Sequence, residues 1–132
     1  MSKYAYSADS HIVEPPQVFA ALERRFGDRG PRIVQDPDWG DFQAQIRQGY
    51  AGIPRGIMEP AERVHDQERD GVRFEVLYPS LYFRVFALPD NEVLVAAFQE
   101  YNDWLADYAG RAADRMMGLA LLPMSDPAAA VV

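Results

Sequence analysis

The run RMMGLALLP, Arg115 to Pro123, is of strand length and almost free of polar side chains. A strand with one face in water alternates apolar and polar residues, so an unbroken apolar run predicts a strand covered on both faces, as in a parallel sheet between helices. Two other segments fit the same sheet. RFEVLYP is a strand ended by Pro79, with Phe74, Val76, Leu77 and Tyr78 as its apolar residues, and Tyr4 to Ala8 is a short strand that runs into Asp9-Ser10-His11. Pro15-Pro16 opens a helix over Gln17 to Phe26, which Gly27 closes. A charged helix from Ala61 to Asp70 stops at Gly71. Asp90 caps the longest helix, on which Leu94, Ala97, Phe98, Tyr101, Leu105 and Tyr108 form an apolar stripe. Asp126-Pro127 opens one more helix at the end of the text.

Strand, helix, strand, helix, strand is the order of an α/β fold with parallel strands and crossover helices. One segment breaks it. From Asp28 to Pro60 the composition shifts to Gly and Pro, and RIVQDPDWGDFQAQI alternates as a hairpin turning at Asp36 to Gly40. Residues 28–60 are therefore an excursion within a single domain spanning 1–132. A chain of 132 residues, 48% of them hydrophobic, is long and apolar enough to bury one core.

The charge balance excludes one class of partner. A formal net charge of -7 gives no basic surface for phosphates, so nucleic acid is not an expected ligand. Pairs such as Arg24-Arg25 read as solvated helix surface. The chain contains no cysteine, which removes disulfide and thiolate chemistry and fits a reducing compartment. MSKYAYSADS lacks the apolar core of a signal peptide, and no stretch approaches the roughly 18 to 20 apolar residues of a membrane span. A soluble, cytoplasmic protein without membrane contact is expected.

Chemistry concentrates where the first strand ends. In parallel α/β folds the functional side chains lie past the carboxyl ends of the strands, which is where Asp9 and His11 stand. Side chains two apart share a face of a strand, so Ser7, Asp9 and His11 are expected to project together and Ala8 and Ser10 the other way. A carboxylate and a neutral imidazole suit zinc, manganese or iron, although an ion requires further ligands. Helix capping and local hydrogen bonding are the alternative uses of the same residues.

His65, the second histidine, lies on the charged helix and reads as solvated. Tyr101, Asn102 and Trp104 read as packing, with an Asn102 bond to a loop backbone. Ser80, Tyr82 and Arg84 follow the second strand on the catalytic side and stay unassigned between substrate contact and packing. GxSxG, P-loop and GxGxxG motifs are absent, which leaves serine hydrolases, NTPases and dinucleotide enzymes without support.

In order and in motif the chain resembles the amidohydrolase-related (amidohydrolase 2) family of metal-dependent barrels, which includes relatives of aminocarboxymuconate-semialdehyde decarboxylase. SADSHIVEPPQVF is similar to that family's opening strand, with an HxH, ExH or DxH metal pair followed by Glu-Pro. ERVHDQERDGVRFEVLYP resembles its helix ending in DGV before strand two, and EYNDWLADYAGRAADRMMGLALLPMSDP its YNxWL helix before strand three. The resemblance implies that Asp9 and His11 are the first two metal ligands. It also implies a TIM-type (β/α)8 barrel of which this chain holds the N-terminal three βα units, because such a barrel needs roughly 250 residues. Two departures stand out: the commonest subgroup has histidine where this chain has Asp9, and many relatives have an acid where it has Ser7.

The implied activity is metal-dependent hydrolysis or non-oxidative decarboxylation of a small organic acid, amide or lactone, with zinc expected first and manganese or iron as alternatives. The family takes a further histidine and a late aspartate from strands beyond the third, so the 132 residues alone are expected to be catalytically incomplete and no general base is named. Unpaired parallel edges imply a homo-oligomer or the remainder of the barrel as partner. The competing expectation is an inactive βα fragment that self-associates or binds a partner chain.

Overall fold

A computed structural model describes residues 4–30 and 54–130. Within them three parallel strands form a sheet in the order β1-β2-β3: β1 Ala5–His11, β2 Val72–Tyr78 and β3 Met116–Gly118. Helix α1 spans Pro16–Phe26, α2 Pro60–Asp70 and α3 Asn91–Gly110, and short 3-10 turns occupy Gly27–Arg29, Arg55–Ile57 and Leu81–Ala87. The α/β class and the parallel sheet are as the sequence predicts. The hairpin expected to turn at Asp36 to Gly40 lies outside the described residues.

Local chemistry sets the helix ends. Proline fills the first position of α1 and α2, where its missing N–H is no loss. Gly71 leaves α2 at φ 71°, a left-handed conformation that a side chain disfavours. Asp90 caps α3 by accepting from the Val93 N–H at 3.3 Å. Val93, Leu94, Ala97, Phe98, Tyr101, Leu105 and Tyr108 then bury one side of α3. All of these but Val93 meet Val18, Phe19 and Leu22 of α1, and Leu77 and Met116 of the sheet, in one apolar cluster.

The helices cover one face of the sheet. Leu77 and Met116 are buried under them, whereas Tyr6 is 73% and Met117 49% exposed on the other face. β3 is thus covered on one side among the described residues, not on both. It is also shorter than the apolar run that announced it, because ladder pairing ends near Gly118; Leu119 adds one bond to the Leu77 carbonyl. Gly118 leaves room for α3: an added Cβ would lie inside contact distance of the Leu105 side chain. Beyond Pro123 the described residues form turns instead of the expected helix, with Asp126 Oδ1 accepting from the Ala129 N–H at 3.2 Å.

Candidate metal centre

β1 reaches the site through a bulge. Ser7 pairs with Glu75 and Ser10 with Leu77, so two residues, Ala8 and Asp9, lie opposite the single Val76. The extra residue shifts the alternation of side chains. Ser7 and Ser10, three apart, turn to the helix side and hydrogen-bond to each other at 2.8 Å. The expectation that Ser7 projects with Asp9 and His11 is therefore corrected: strict alternation holds only in a strand without an inserted residue.

Asp9 and His11 come together on the open face. His11 Nε2 lies 3.6 Å from Asp9 Oδ1, with the two side chains 50% and 81% exposed. His11 Nδ1 lies 3.0 Å from the Pro79 carbonyl oxygen. A carbonyl can only accept, so Nδ1 carries the proton, and in the neutral ring Nε2 presents a lone pair to a carboxylate. Two acceptors facing each other repel unless a proton on Nε2 or a metal cation lies between them. The donor set fits a divalent ion: two ligand atoms each about 2.1 Å from one ion stand roughly 3 to 3.6 Å apart. Among the described residues no group of three or more His, Asp or Glu side chains converges on one point. Tyr78 and Phe83 flank the imidazole, with ring centroids 6.0 and 6.3 Å away.

Polar groups beneath the pair hold it in place, and sequence reading missed them. Ser10 Oγ donates to Glu75 Oε1 at 2.9 Å, Arg63 Nε to Glu75 Oε2 at 2.6 Å and Gln67 Nε2 to Glu75 Oε2 at 2.8 Å. Arg63 Nη1 also donates to the His11 carbonyl at 3.1 Å. Burial pushes the Glu75 carboxyl up, but the hydrogen bonds from Arg63 and Gln67 and the charge of Arg63 outweigh it and hold the group below its ordinary value. The signal was present in the text. Arg63 and Gln67 are polar residues one turn apart on the sheet-facing side of a helix, opposite a lone acid within a strand.

Glu14 is the second group missed. Its side chain is fully buried, and it accepts from the Ser80 N–H at 3.0 Å, the Leu81 N–H at 2.8 Å and the Tyr82 N–H at 3.4 Å. Burial raises its carboxyl above the ordinary value, and these N–H donors oppose that rise. Next to Pro15-Pro16 it reads as part of a turn, and only the fold brings the loop after β2 to it.

The other candidates separate. Tyr82 is fully buried between Phe19 and Tyr101, at ring distances of 4.9 and 5.1 Å, and belongs to the core. Ser80 offers its backbone to Glu14, and Arg84 is half-buried in the same turn. His65 is exposed on α2, as expected. Tyr101 packs in the core, while Asn102 donates to the Leu121 carbonyl at 2.9 Å and accepts from the Leu121 N–H at 2.8 Å, the loop bond that its position predicts. No helix of the described residues is long and apolar enough to cross a membrane.

No protein-family model matches the chain, and no curated protein matches it. Solved structures do. A 2,6-dihydroxybenzoate decarboxylase from Rhizobium aligns at TM-score 0.59 and 20% identity, over 96% of this chain and 32% of that one. A dihydroxybenzoic acid decarboxylase from Polaromonas sp. JS666, with bound manganese and 2-nitroresorcinol, aligns at 0.60 and 21%, over 96% and 32%. A 5-carboxyvanillate decarboxylase from Novosphingobium aromaticivorans, complexed with manganese and 4-hydroxy-3-methoxy-5-nitrobenzoic acid, aligns at 0.58 and 16%, over 96% and 36%. The chain spans about a third of the length of these proteins, and with that third it shares their fold.

Proposed function

We propose that this chain is the N-terminal three βα units of a metal-dependent amidohydrolase-related barrel, and that Asp9 and His11 are its first two metal ligands. The observation that carries the reading is the His11 ring, whose Nδ1 proton is committed to the Pro79 carbonyl and whose Nε2 is aimed at the Asp9 carboxylate 3.6 Å away. The open sheet face, which holds this pair, is the one a closed barrel would turn inward.

The neighbouring decarboxylases favour carboxy-lyase chemistry over hydrolysis and an organic acid over an amide or lactone. They also favour manganese over the zinc expected from the sequence, since two of them hold manganese. A divalent ion at the pair would bind the substrate's oxygens and stabilise the charge that develops as the carboxyl group leaves. The chain's own part is to aim the two donors. Pro79 fixes the tautomer, and Arg63 anchors the His11 backbone. Further ligands and the proton donor belong to strands beyond β3 in this reading, so the 132 residues alone are inactive.

A second reading, an inactive βα fragment that self-associates, is supported by the exposed apolar residues Tyr6, Phe83, Leu122 and Met124. Titration with Mn2+, read by the electron paramagnetic resonance of the free ion, separates the two. The metal reading expects weak but saturable uptake, with two of the ligands present, that Asp9→Ala and His11→Ala each abolish while the circular dichroism is unchanged. Equal uptake by wild type and both variants sinks it, and a dimer in light scattering then supports the fragment.

A further inference from the structure

We propose that Glu14 is the positioning residue of this centre: it holds the Pro79–Ser80 peptide, and that peptide sets the ring orientation and tautomer of His11. The inference rests on the metal reading of Asp9 and His11 and adds a role that the pair itself does not reveal.

The argument is the geometry of one peptide unit. The Ser80 N–H donates to Glu14 Oε1 at 3.0 Å, and the Pro79 carbonyl of the same peptide accepts from His11 Nδ1 at 3.0 Å. No cis bond occurs among the described residues, so the unit is planar and trans, and its N–H and C=O point in opposite directions. Fixing the N–H on one side therefore aims the carbonyl on the other. Leu81 and Tyr82 donate to the same carboxylate, so three successive N–H groups converge on it and the peptide cannot rotate without releasing a hydrogen bond. The carboxylate is fully buried, where water cannot replace it as an acceptor.

The consequence falls on Nε2. Were the Pro79 carbonyl turned away, the ring would lose the partner that keeps its proton on Nδ1. Nε2 would then carry the proton, and an N–H would face Asp9 where a lone pair is needed. A carboxylate that merely capped the Leu81–Ala87 turn would affect stability and leave the tautomer alone.

The test reads the tautomer directly. The chain has two histidines, so ring 15N–1H correlation spectra of the labelled protein contain two spin systems, and His65→Gln identifies that of His11. The expected wild-type pattern is a proton on Nδ1 and none on Nε2. Glu14→Gln puts an N–H2 group where one carboxylate oxygen stood; it is expected to shift His11 toward the Nε2–H form and to raise the Mn2+ Kd about 10- to 100-fold. A folded Glu14→Gln chain with an unchanged His11 pattern overturns the proposal, even if Mn2+ still binds. So does a wild type already in the Nε2–H form, a measurement that needs no variant to fold. A wild type with the expected tautomer but no Mn2+ uptake counts against Asp9 and His11 as a metal pair in this 132-residue chain, and the comparison with Glu14→Gln still decides the role of Glu14.

Discussion

Arg63→Met tests the polar layer under the site. The Arg63 side chain is 9% exposed and that of its partner Glu75 13%, and their shortest contact is 2.6 Å. Methionine keeps the length and the apolar stem but removes the bond to Glu75 and the bond to the His11 carbonyl. Removing one member of a buried pair costs about 3–5 kcal/mol, because the other charge is stranded. Ser10 and Gln67 still donate to Glu75, which sets the expectation at the lower end, about 3 kcal/mol. For a chain of this length that is roughly a 10 °C drop in Tm, measured by circular dichroism.

Glu75→Leu in the same chain removes the stranded charge. The double variant is expected to be less destabilised than the sum of the single changes, by on the order of 2 kcal/mol. The pH dependence carries a sign as well. In the wild type the Glu75 pKa lies below its ordinary 4.5, so its contribution is complete above that value and lost as pH falls through the folded pKa. In Arg63→Met burial dominates and raises the group, so the variant gains stability as pH falls toward the unfolded value. The gap between the two proteins should narrow from about pH 7 to about pH 4. Additivity of the two substitutions within about 0.5 kcal/mol, or a gap that widens in acid, would refute the account.

Two smaller changes probe how α3 is seated. Gly118→Ala drives a methyl group into Leu105, which is only 3% exposed and has little room to move; urea unfolding should register a loss of about 1–3 kcal/mol, partly recovered by Leu105→Val. Asn102→Ala leaves both backbone groups of the buried Leu121 without their partner and should cost about 1–3 kcal/mol, whereas Asn102→Asp keeps the bond from the Leu121 N–H but sets a carboxylate against the carbonyl; equal stability of the three proteins would show that water takes over both bonds.

The fold was legible wherever one residue's chemistry decides a boundary. Asp90 caps α3, Gly71 ends α2 and Pro79 ends β2 because a side-chain acceptor, a positive φ and a missing N–H act locally. Strand extent was less legible. The apolar content of Arg115 to Pro123 reports burial, whereas the length of β3 depends on where β2 ceases to offer partners. Coverage was misjudged for the same reason: an apolar strand needs two apolar surroundings, and the described residues supply helices on one side only.

At the site, the residue types at positions 9 and 11 were readable and their neighbours were not. The bulge at Ala8 and Asp9 explains why. A spacing of two places two side chains together only if no residue is inserted between them, and Asp9 and His11 both lie at or after the insertion while Ser7 lies before it. Ser7 is thereby turned to the helix side, where Ser10, Glu75 and Arg63 form a continuous chain of hydrogen bonds. Its hydroxyl consequently cannot stand in for the acid that many members of the resembled family carry at the start of the motif. In the metal reading proposed above, β1 would therefore give an ion Asp9 and His11, with Ser7 committed to the hydrogen bonds on the opposite face.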